Sequence, residues 1–195
     1  MILGEGGQVP VAPASLPAAP DFPGPNLVMG KKIYIRDAAP HELNRIEALV
    51  LTAYQEFQPL FSEQVWTAWM DNIRKTIYSG AGMLMVAEAG GEIQGVVKFY
   101  PDAAQSGMGR WPQGAAAIRI LAVGPVARGR GLGTLLTEEC LRRARDLKVP
   151  AIFLYTGTFM AAARHIYEKL GFQRAPEFDR DPGPIAYRLD LEGEK

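Results

Sequence analysis

Apolar residues recur along the chain with two different periods, and these periods separate helices from strands. Spacings of three and four residues predict four amphipathic helices, over Pro40–Phe57, Ser62–Tyr78, Leu132–Leu147 and Phe159–Leu170. Short apolar or alternating runs predict seven strands, over Ile33–Ile35, Met83–Glu88, Ile93–Tyr100, Ala116–Val123, Ala151–Tyr155, Phe172–Arg174 and Ile185–Leu191. The order βααβββαβαββ predicts an α/β (α+β) fold with a central mixed sheet and helices on both sides.

Composition indicates one globular domain that follows a low-complexity N-terminal segment. The 195 residues are 48% hydrophobic, which is enough for one core. Residues 1–30 are rich in proline, alanine and glycine, so we expect a mobile tail there, a single domain over 31–191 and a C-terminal tail over 192–195. Because no stretch is typical of a secretory signal or a membrane span, we expect a cytoplasmic protein that does not bind membranes.

Charge and cysteine content exclude several classes of function. Acidic and basic side chains number 21 each, so a large electrostatic footprint for nucleic acid is not expected. Cys140 is the only cysteine, and it falls on the apolar stripe of its helix, which predicts a core residue. His41 and His165 show no metal-ligand spacing, so no metal is predicted.

The main candidate for chemistry is the run Arg128-Gly129-Arg130-Gly131-Leu132-Gly133, which joins a predicted strand to a predicted helix. Glycines there let backbone N–H groups converge on an anion at the positive end of the helix, as in a pyrophosphate cradle. A P-loop would need lysine where Arg130 stands. A dinucleotide fingerprint would need different glycine spacing and an acidic residue where Thr156 ends the next strand, so a nicotinamide enzyme is a weaker alternative.

The spacing R-x-x-G-x-G, with Leu121-Ala122-Val123 and Pro125 before it, is an acyl-CoA signature. A second segment, Ala163 to Phe172, matches A-x-x-x-Y-x-x-x-G-F. With both motifs in this order, the chain resembles bacterial-type members of the GNAT N-acetyltransferase superfamily, from Lys31 to Leu191. The resemblance implies a central, largely antiparallel mixed sheet of about seven strands flanked by four helices. It also implies acetyl-CoA as the acyl donor.

The resemblance assigns roles to particular residues. Backbone N–H groups of Arg128, Gly129, Arg130, Gly131, Leu132, Gly133 and Thr134 would bind the pyrophosphate of CoA. The main chain of Leu121, Ala122 and Val123 would run beside the pantetheine, with one N–H facing the thioester oxygen. Tyr167 would be the general acid that protonates the CoA thiolate, although its position on an apolar helix face is also typical of a core aromatic residue.

Two departures from the family pattern concern the acceptor side. Many relatives carry a glutamate base where this chain has Ala117, and many carry asparagine where it has Met160. Thr156 or Thr158 could replace the asparagine. The general base is therefore unassigned, and the candidates are also ordinary surface carboxylates: Glu56, Glu63, Glu88 and Asp102.

In this family the acceptor pocket is built from segments that correspond here to Phe57–Ser62 and Ala175–Pro184. Acidic residues of the second segment could attract a cationic amine or could simply form a solvated loop: Glu177, Asp179 and Asp181. The leading hypothesis is acetyl transfer to a primary amine of a small molecule or peptide by direct attack on the thioester. The alternative is a non-catalytic acyl-CoA-binding or sensing module. Pairing of exposed edges of the last strands could also give a homodimer.

Overall fold

The computed structural model describes residues 27–28 and 31–191. Its eight strands are β1 Leu27–Val28, β2 Lys31–Asp37, β3 Met83–Ala89, β4 Glu92–Tyr100, β5 Ala116–Val123, β6 Ala151–Thr156, β7 Gln173–Arg174 and β8 Ile185–Asp190. Its helices are α1 Leu43–Tyr54, α2 Glu63–Tyr78, α3 Leu132–Asp146 and α4 Ala161–Lys169. Apart from Leu27–Val28, the tails predicted over 1–30 and 192–195 lie outside the described residues.

All described strands belong to one sheet, in the order β1-β2-β3-β4-β5-β6-β8-β7. Only β5 and β6 run parallel, whereas the remaining neighbours are antiparallel. The predicted mixed, largely antiparallel sheet with four helices is therefore confirmed. The additional two-residue strand β1, which pairs with Lys31 and Lys32, was not expected from the sequence.

Helices cover both faces of the sheet, as the alternation of apolar residues requires. On one face α1 and α2 bury Ile46 and Ile73 against Val96 of β4. On the other face α3 and α4 pack over β3 to β6, and Cys140 is fully buried in this cluster. Burial raises the pKa of the Cys140 thiol far above its ordinary value, because the thiolate would lose its hydration. The prediction that Cys140 is a core residue is confirmed.

The start of α4 differs from the prediction. The helix begins at Ala161, and Phe159 lies in the turn before it instead of in its first turn. Met160, with φ −85° and ψ 61°, is not helical and precedes the first turn. The Phe159 ring packs 5.1 Å from that of Phe57 and 5.4 Å from that of Phe61. Tertiary aromatic packing has therefore overridden a helical period that the sequence shows.

Two irregularities in β5 open the centre of the sheet. Strands β5 and β6 pair only from Ala116 to Ile118 and then diverge. On its other side β5 carries a bulge, where the register with β4 shifts and Ile120 adopts a left-handed φ of 51°. The carboxyl-terminal half of β5 therefore has no strand partner on the β6 side. No helix within the described residues is long and apolar enough to cross a membrane.

Candidate functional site

The glycine turn after β5 presents a row of unpaired backbone donors. Gly129 and Gly131 adopt left-handed φ values of 73° and 77°, and a Cβ atom added to either would meet no heavy atom within 4 Å. The first helical hydrogen bond of α3 runs from the N–H of Leu135 to the oxygen of Gly131, at 3.0 Å. The N–H groups of residues 129–134 find no acceptor among the described residues. An anion can therefore be bound here without displacing an existing contact.

Gly133, the third glycine, contributes through packing instead of through its backbone conformation. A Cβ atom at this position would lie 2.8 Å from Cδ1 of Ile166 in α4. The absence of a side chain therefore lets α4 approach the first turn of α3. The three glycines of the motif therefore serve two purposes. Gly129 and Gly131 adopt left-handed backbone conformations, and Gly133 allows close packing of α4 on α3.

The two arginines of the turn have separate environments. Arg128 turns back onto α1, where its guanidinium donates to the carbonyl oxygen of Ala53 at 2.7 Å and pairs with Glu56 at 2.7 Å. Arg130 is half-buried and makes no hydrogen bond or ion pair with a described residue. Arg130 is thus the side-chain cation available to an anion at the turn, whereas Arg128 holds the turn against α1.

The open half of β5 leads directly into this turn and contains the predicted backbone residues Leu121, Ala122 and Val123. The hydroxyl of Tyr54, from the end of α1, donates to the carbonyl oxygen of Leu121 at 3.3 Å. Ala122 is buried and pairs with Val96 of β4. The predicted backbone edge and the glycine turn are therefore continuous along one strand and its loop.

Tyr167 lies on the α3–α4 side of the sheet. It is 4% exposed, and its ring lies 5.7 Å from that of Phe172 and 6.2 Å from that of Tyr187. Its hydroxyl makes no hydrogen bond with a described residue. Burial, with a smaller contribution from the nearby Tyr54 phenol, raises the pKa of Tyr167 well above its ordinary value. The phenol is therefore held in its protonated form.

A cavity of about 440 Å³ opens on the other side, between α2, the carboxyl end of β6 and the loop before β8. Both segments predicted to form the acceptor pocket contribute to it, through Phe61 and through Arg180 and Pro184. Much of the wall is aromatic: Tyr54, Phe61, Trp69, Trp111, Tyr155 and Phe159. Thr156, Thr158 and Met160 also line it. The size is typical of a small-molecule site.

The cavity carries positive charge. Arg119, from β5, and Arg180, from the loop before β8, both line it, and among the described lining residues there is no aspartate or glutamate. The acidic residues considered as an attraction for a cationic amine lie elsewhere. Asp179 accepts a hydrogen bond from the N–H of Ala186 at 2.7 Å and pairs with Arg174.

The candidate bases are likewise outside the cavity wall. Glu56 is paired with Arg128, and Glu88 is paired with Arg36 at 2.6 Å. Asp102 caps its own turn, because its Oδ1 accepts from the N–H of Ala104 at 3.0 Å. Glu63 is exposed in the first turn of α2.

Sequence reasoning missed Arg119 and Tyr54 as residues of this cavity. Tyr54 has the spacing of the apolar stripe of α1, and it does pack there, with its ring stacked 5.4 Å from that of Trp69. Arg119 interrupts the apolar sequence Ala116-Ala117-Ile118-Arg119-Ile120 in the middle of a central strand. This lone arginine was the sequence signal for the cavity. Burying an unpaired charge in a central strand costs free energy, so a charge there indicates a functional site.

A known protein family matches the central part of the chain. Residues 44–172 match the model of the acetyltransferase (GNAT) family. This range runs from the second residue of α1 to beyond the end of α4 and contains the glycine turn and Tyr167.

Comparison with curated proteins gives several acetyltransferases. A segment of 57 residues is 46% identical to the mycothiol acetyltransferase of Rhodococcus opacus, over 29% of this chain and 19% of that protein. The identity is 32% over 108 residues to the mycothiol acetyltransferase of Pseudarthrobacter chlorophenolicus, over 55% of this chain and 32% of that protein. It is 28% over 109 residues to N-acetyltransferase family 8 member 2 of Rattus norvegicus, over 55% of this chain and 46% of that protein. The matches span less than half the length of each relative.

Comparison with solved structures gives the same fold. PaiA N-acetyltransferase from Thermoplasma acidophilum, solved in complex with coenzyme A, superimposes with a TM-score of 0.64 at 14% identity, over 82% of this chain and 99% of that one. A GNAT family acetyltransferase from Brucella melitensis, in complex with acetyl-CoA, gives a TM-score of 0.57 at 20% identity, over 85% of this chain and 92% of that one.

Proposed function

The chain belongs to the acetyltransferase (GNAT) family, and we propose that it transfers the acetyl group of acetyl-CoA to a primary amine of a small molecule or peptide. The described domain over residues 31–191 is proposed as the unit that carries this activity. The observation that carries the proposal is the row of N–H groups at residues 129–134, which have no acceptor among the described residues. They lie next to the Arg130 guanidinium, likewise without a described partner, and next to the open edge of β5.

These groups fit a CoA thioester by their chemistry. The turn offers N–H donors and one free cation to the pyrophosphate, at the positive end of α3. The unpaired edge of β5 beyond Ile118 offers main-chain groups to the amides of pantetheine, in the manner of an added strand. Acetyl-CoA, when bound, supplies the activated acyl group. Leu121, Ala122 and Val123 are proposed to orient it, with one backbone N–H directed at the thioester oxygen.

Tyr167 is proposed to donate the proton that the departing thiolate requires. Its raised pKa keeps the phenol protonated at neutral pH, and its hydroxyl is not engaged by another described residue. Tyr187 nearby has a hydroxyl that donates to Glu168 at 2.6 Å, so it is already engaged. The contrast between these two phenols supports Tyr167 as the acid.

The amine must be neutral to attack, and the general base remains unassigned. The positive cavity favours a neutral amine, because Arg119 and Arg180 disfavour a third positive charge beside them. A bound amine would therefore lose its proton to solvent more readily than it does in water. A carboxylate in the wall is not needed on this account.

Calorimetric titration of the purified chain with acetyl-CoA, beside the same titration with NAD, tests the proposal. We expect saturable binding of acetyl-CoA alone and release of free CoA thiol when an amine acceptor is added. Failure to bind acetyl-CoA would overturn the proposal. Binding without thiol release across a broad set of amines would favour the non-catalytic acyl-CoA-binding module instead.

A further inference from the structure

The cavity beside β5 contains cations without acidic partners, which sets it apart from other charge clusters of the protein. On α3, Arg143 has 11% side-chain exposure and pairs with Glu139 at 2.7 Å and with Asp37 at 2.6 Å. Arg36 pairs with Glu42 and Glu88. Arg119 and Arg180, by contrast, have no carboxylate partner among the described residues. Arg119 is partly buried, and a charge partly withdrawn from water usually acquires a counter-charge, whereas Arg180 is an exposed cation on the rim of the same cavity. A ligand that supplies a negative charge is therefore expected here.

Within residues 31–191, the groups that hold Arg119 in place are neutral. Its guanidinium donates to the carbonyl oxygen of Ser106 and to Oδ1 of Asn72, each at 2.6 Å. These two contacts orient the side chain and leave its positive charge uncompensated. Burial lowers the pKa of Arg119, and the charge of Arg180 acts in the same direction, so the two guanidiniums influence one another.

Lys98 adds a third cation beside Arg119, behind the cavity wall. It is the cross-strand partner of Arg119 and is 1% exposed. Its Nζ donates to the carbonyl oxygens of Thr76 at 2.6 Å and Ser79 at 2.7 Å, at the end of α2. Like Arg119, it is held by neutral acceptors. The region between α2 and β5 therefore has an excess of positive charge that no described side chain neutralises.

Resting on the proposed function, we propose that the acceptor is a primary amine that also carries a carboxylate, together with an aromatic or other apolar body. The carboxylate would bind to Arg119 and Arg180, which match its charge and can donate paired hydrogen bonds. The apolar body would lie against the ring wall formed by residues such as Trp69, Trp111 and Phe159. Polyamines and other polycations would be rejected, because the cavity offers them no counter-charge.

Binding of unreactive probes tests the carboxylate without depending on acetyl transfer. The probes are 3-phenylpropanoate and its neutral analogue 3-phenylpropanamide, titrated into the CoA-saturated protein with tryptophan fluorescence and calorimetry as readouts. We expect the carboxylate to bind at least about tenfold more tightly than the amide, as one charge-assisted hydrogen bond would give. Equal affinity, or tighter binding of the amide, would overturn the inference.

A matched pair of variants assigns the preference to the cavity. Arg180→Gln removes a cavity cation from an exposed loop, whereas Arg45→Gln removes an exposed arginine that pairs with Glu92 on the surface of the protein. We expect the preference for the carboxylate to fall toward equality in Arg180→Gln and to persist in Arg45→Gln. Persistence in both variants would overturn the role of Arg180.

Turnover separates this inference from the proposed function. CoA-thiol release is compared for phenylalanine, phenethylamine and spermidine, and we expect the lowest KM for phenylalanine. If phenethylamine or spermidine is the better acceptor, the protein is an acetyltransferase but the inference is wrong. If acetyl-CoA does not bind at all, the proposed function fails, while the probe titration, run without CoA, still decides whether the cavity prefers a carboxylate.

Discussion

The guanidinium of Arg128 donates a 2.7 Å hydrogen bond to the carbonyl oxygen of Ala53 and thereby anchors the glycine turn to the end of α1. Arg130, two residues later, has no such contact among the described residues. Both are arginines of one short turn, yet Arg128 holds the turn against α1 and Arg130 makes no contact with a described side chain. This division of roles can be measured.

Arg130→Gln should weaken binding of CoA and leave stability unchanged. Loss of one charge-assisted contact to phosphate predicts an affinity about tenfold lower at low salt, and a smaller difference at high salt. Arg128→Gln should instead lower the free energy of unfolding by about 1 kcal/mol, because it removes the contacts to Ala53 and Glu56. Calorimetry and urea unfolding of both variants check this. An unchanged CoA affinity in Arg130→Gln would contradict the prediction.

Gly131→Ala should impair the cradle through its backbone conformation. Its φ of 77° is left-handed, so alanine costs about 1–2 kcal/mol although the space is open. Gly91→Ala is a matched control, because Gly91 has a φ of 82° and equally open surroundings in the β3–β4 turn. Both variants should lose similar stability in thermal unfolding, and only Gly131→Ala should bind CoA more weakly. Equal CoA affinities for the two would show that the turn is not the binding site.

Tyr167→Phe should lower kcat by about a hundredfold while CoA affinity persists, because only the proton donor is lost. The rate should show no decline from ionisation of Tyr167 as pH rises through 10, since burial raises its pKa above that value. Tyr187→Phe provides the control, with a phenol on the same side of the sheet whose hydroxyl is bonded to Glu168. Steady-state kinetics would contradict the assignment if both variants retained wild-type kcat.

Lys98 should make stability depend on alkaline pH. Burial, followed by the charge of Arg119, lowers its pKa from 10.5 to about 8. Between pH 8 and pH 10.5, Lys98 binds more protons in the unfolded chain than in the folded one, so raising the pH stabilises the fold. The stability of the wild type relative to Lys98→Met should therefore rise by up to about 3 kcal/mol from pH 8 to pH 10.5. Urea unfolding at several pH values measures this, with the exposed Lys75→Met as control. A constant difference would refute it.

The sequence predicted the elements of the fold well, because apolar periodicity reports directly on burial. It also located the glycine turn, whose chemistry is local to six consecutive residues. The cavity was less predictable, since Arg119, Arg180 and Phe159 come from a strand, a loop and a turn far apart along the chain. The sign of its charge was not predicted, because the sequence shows acidic residues around Arg180 but not that Asp179 is bound to Arg174 and the Ala186 N–H.

The sheet consists of two halves, β1 to β5 and β6 to β8, and these halves are joined by the short pairing between β5 and β6. In the part of the chain that the structure describes, only three pairs of residues connect the two halves by strand pairing. A molecule that binds in the gap between β5 and β6 beyond Ile118 can extend this connection with hydrogen bonds of its own. On the proposed function, a bound acyl donor adds hydrogen bonds between the two halves of the sheet, so the fold should resist unfolding more strongly with the donor bound than without it.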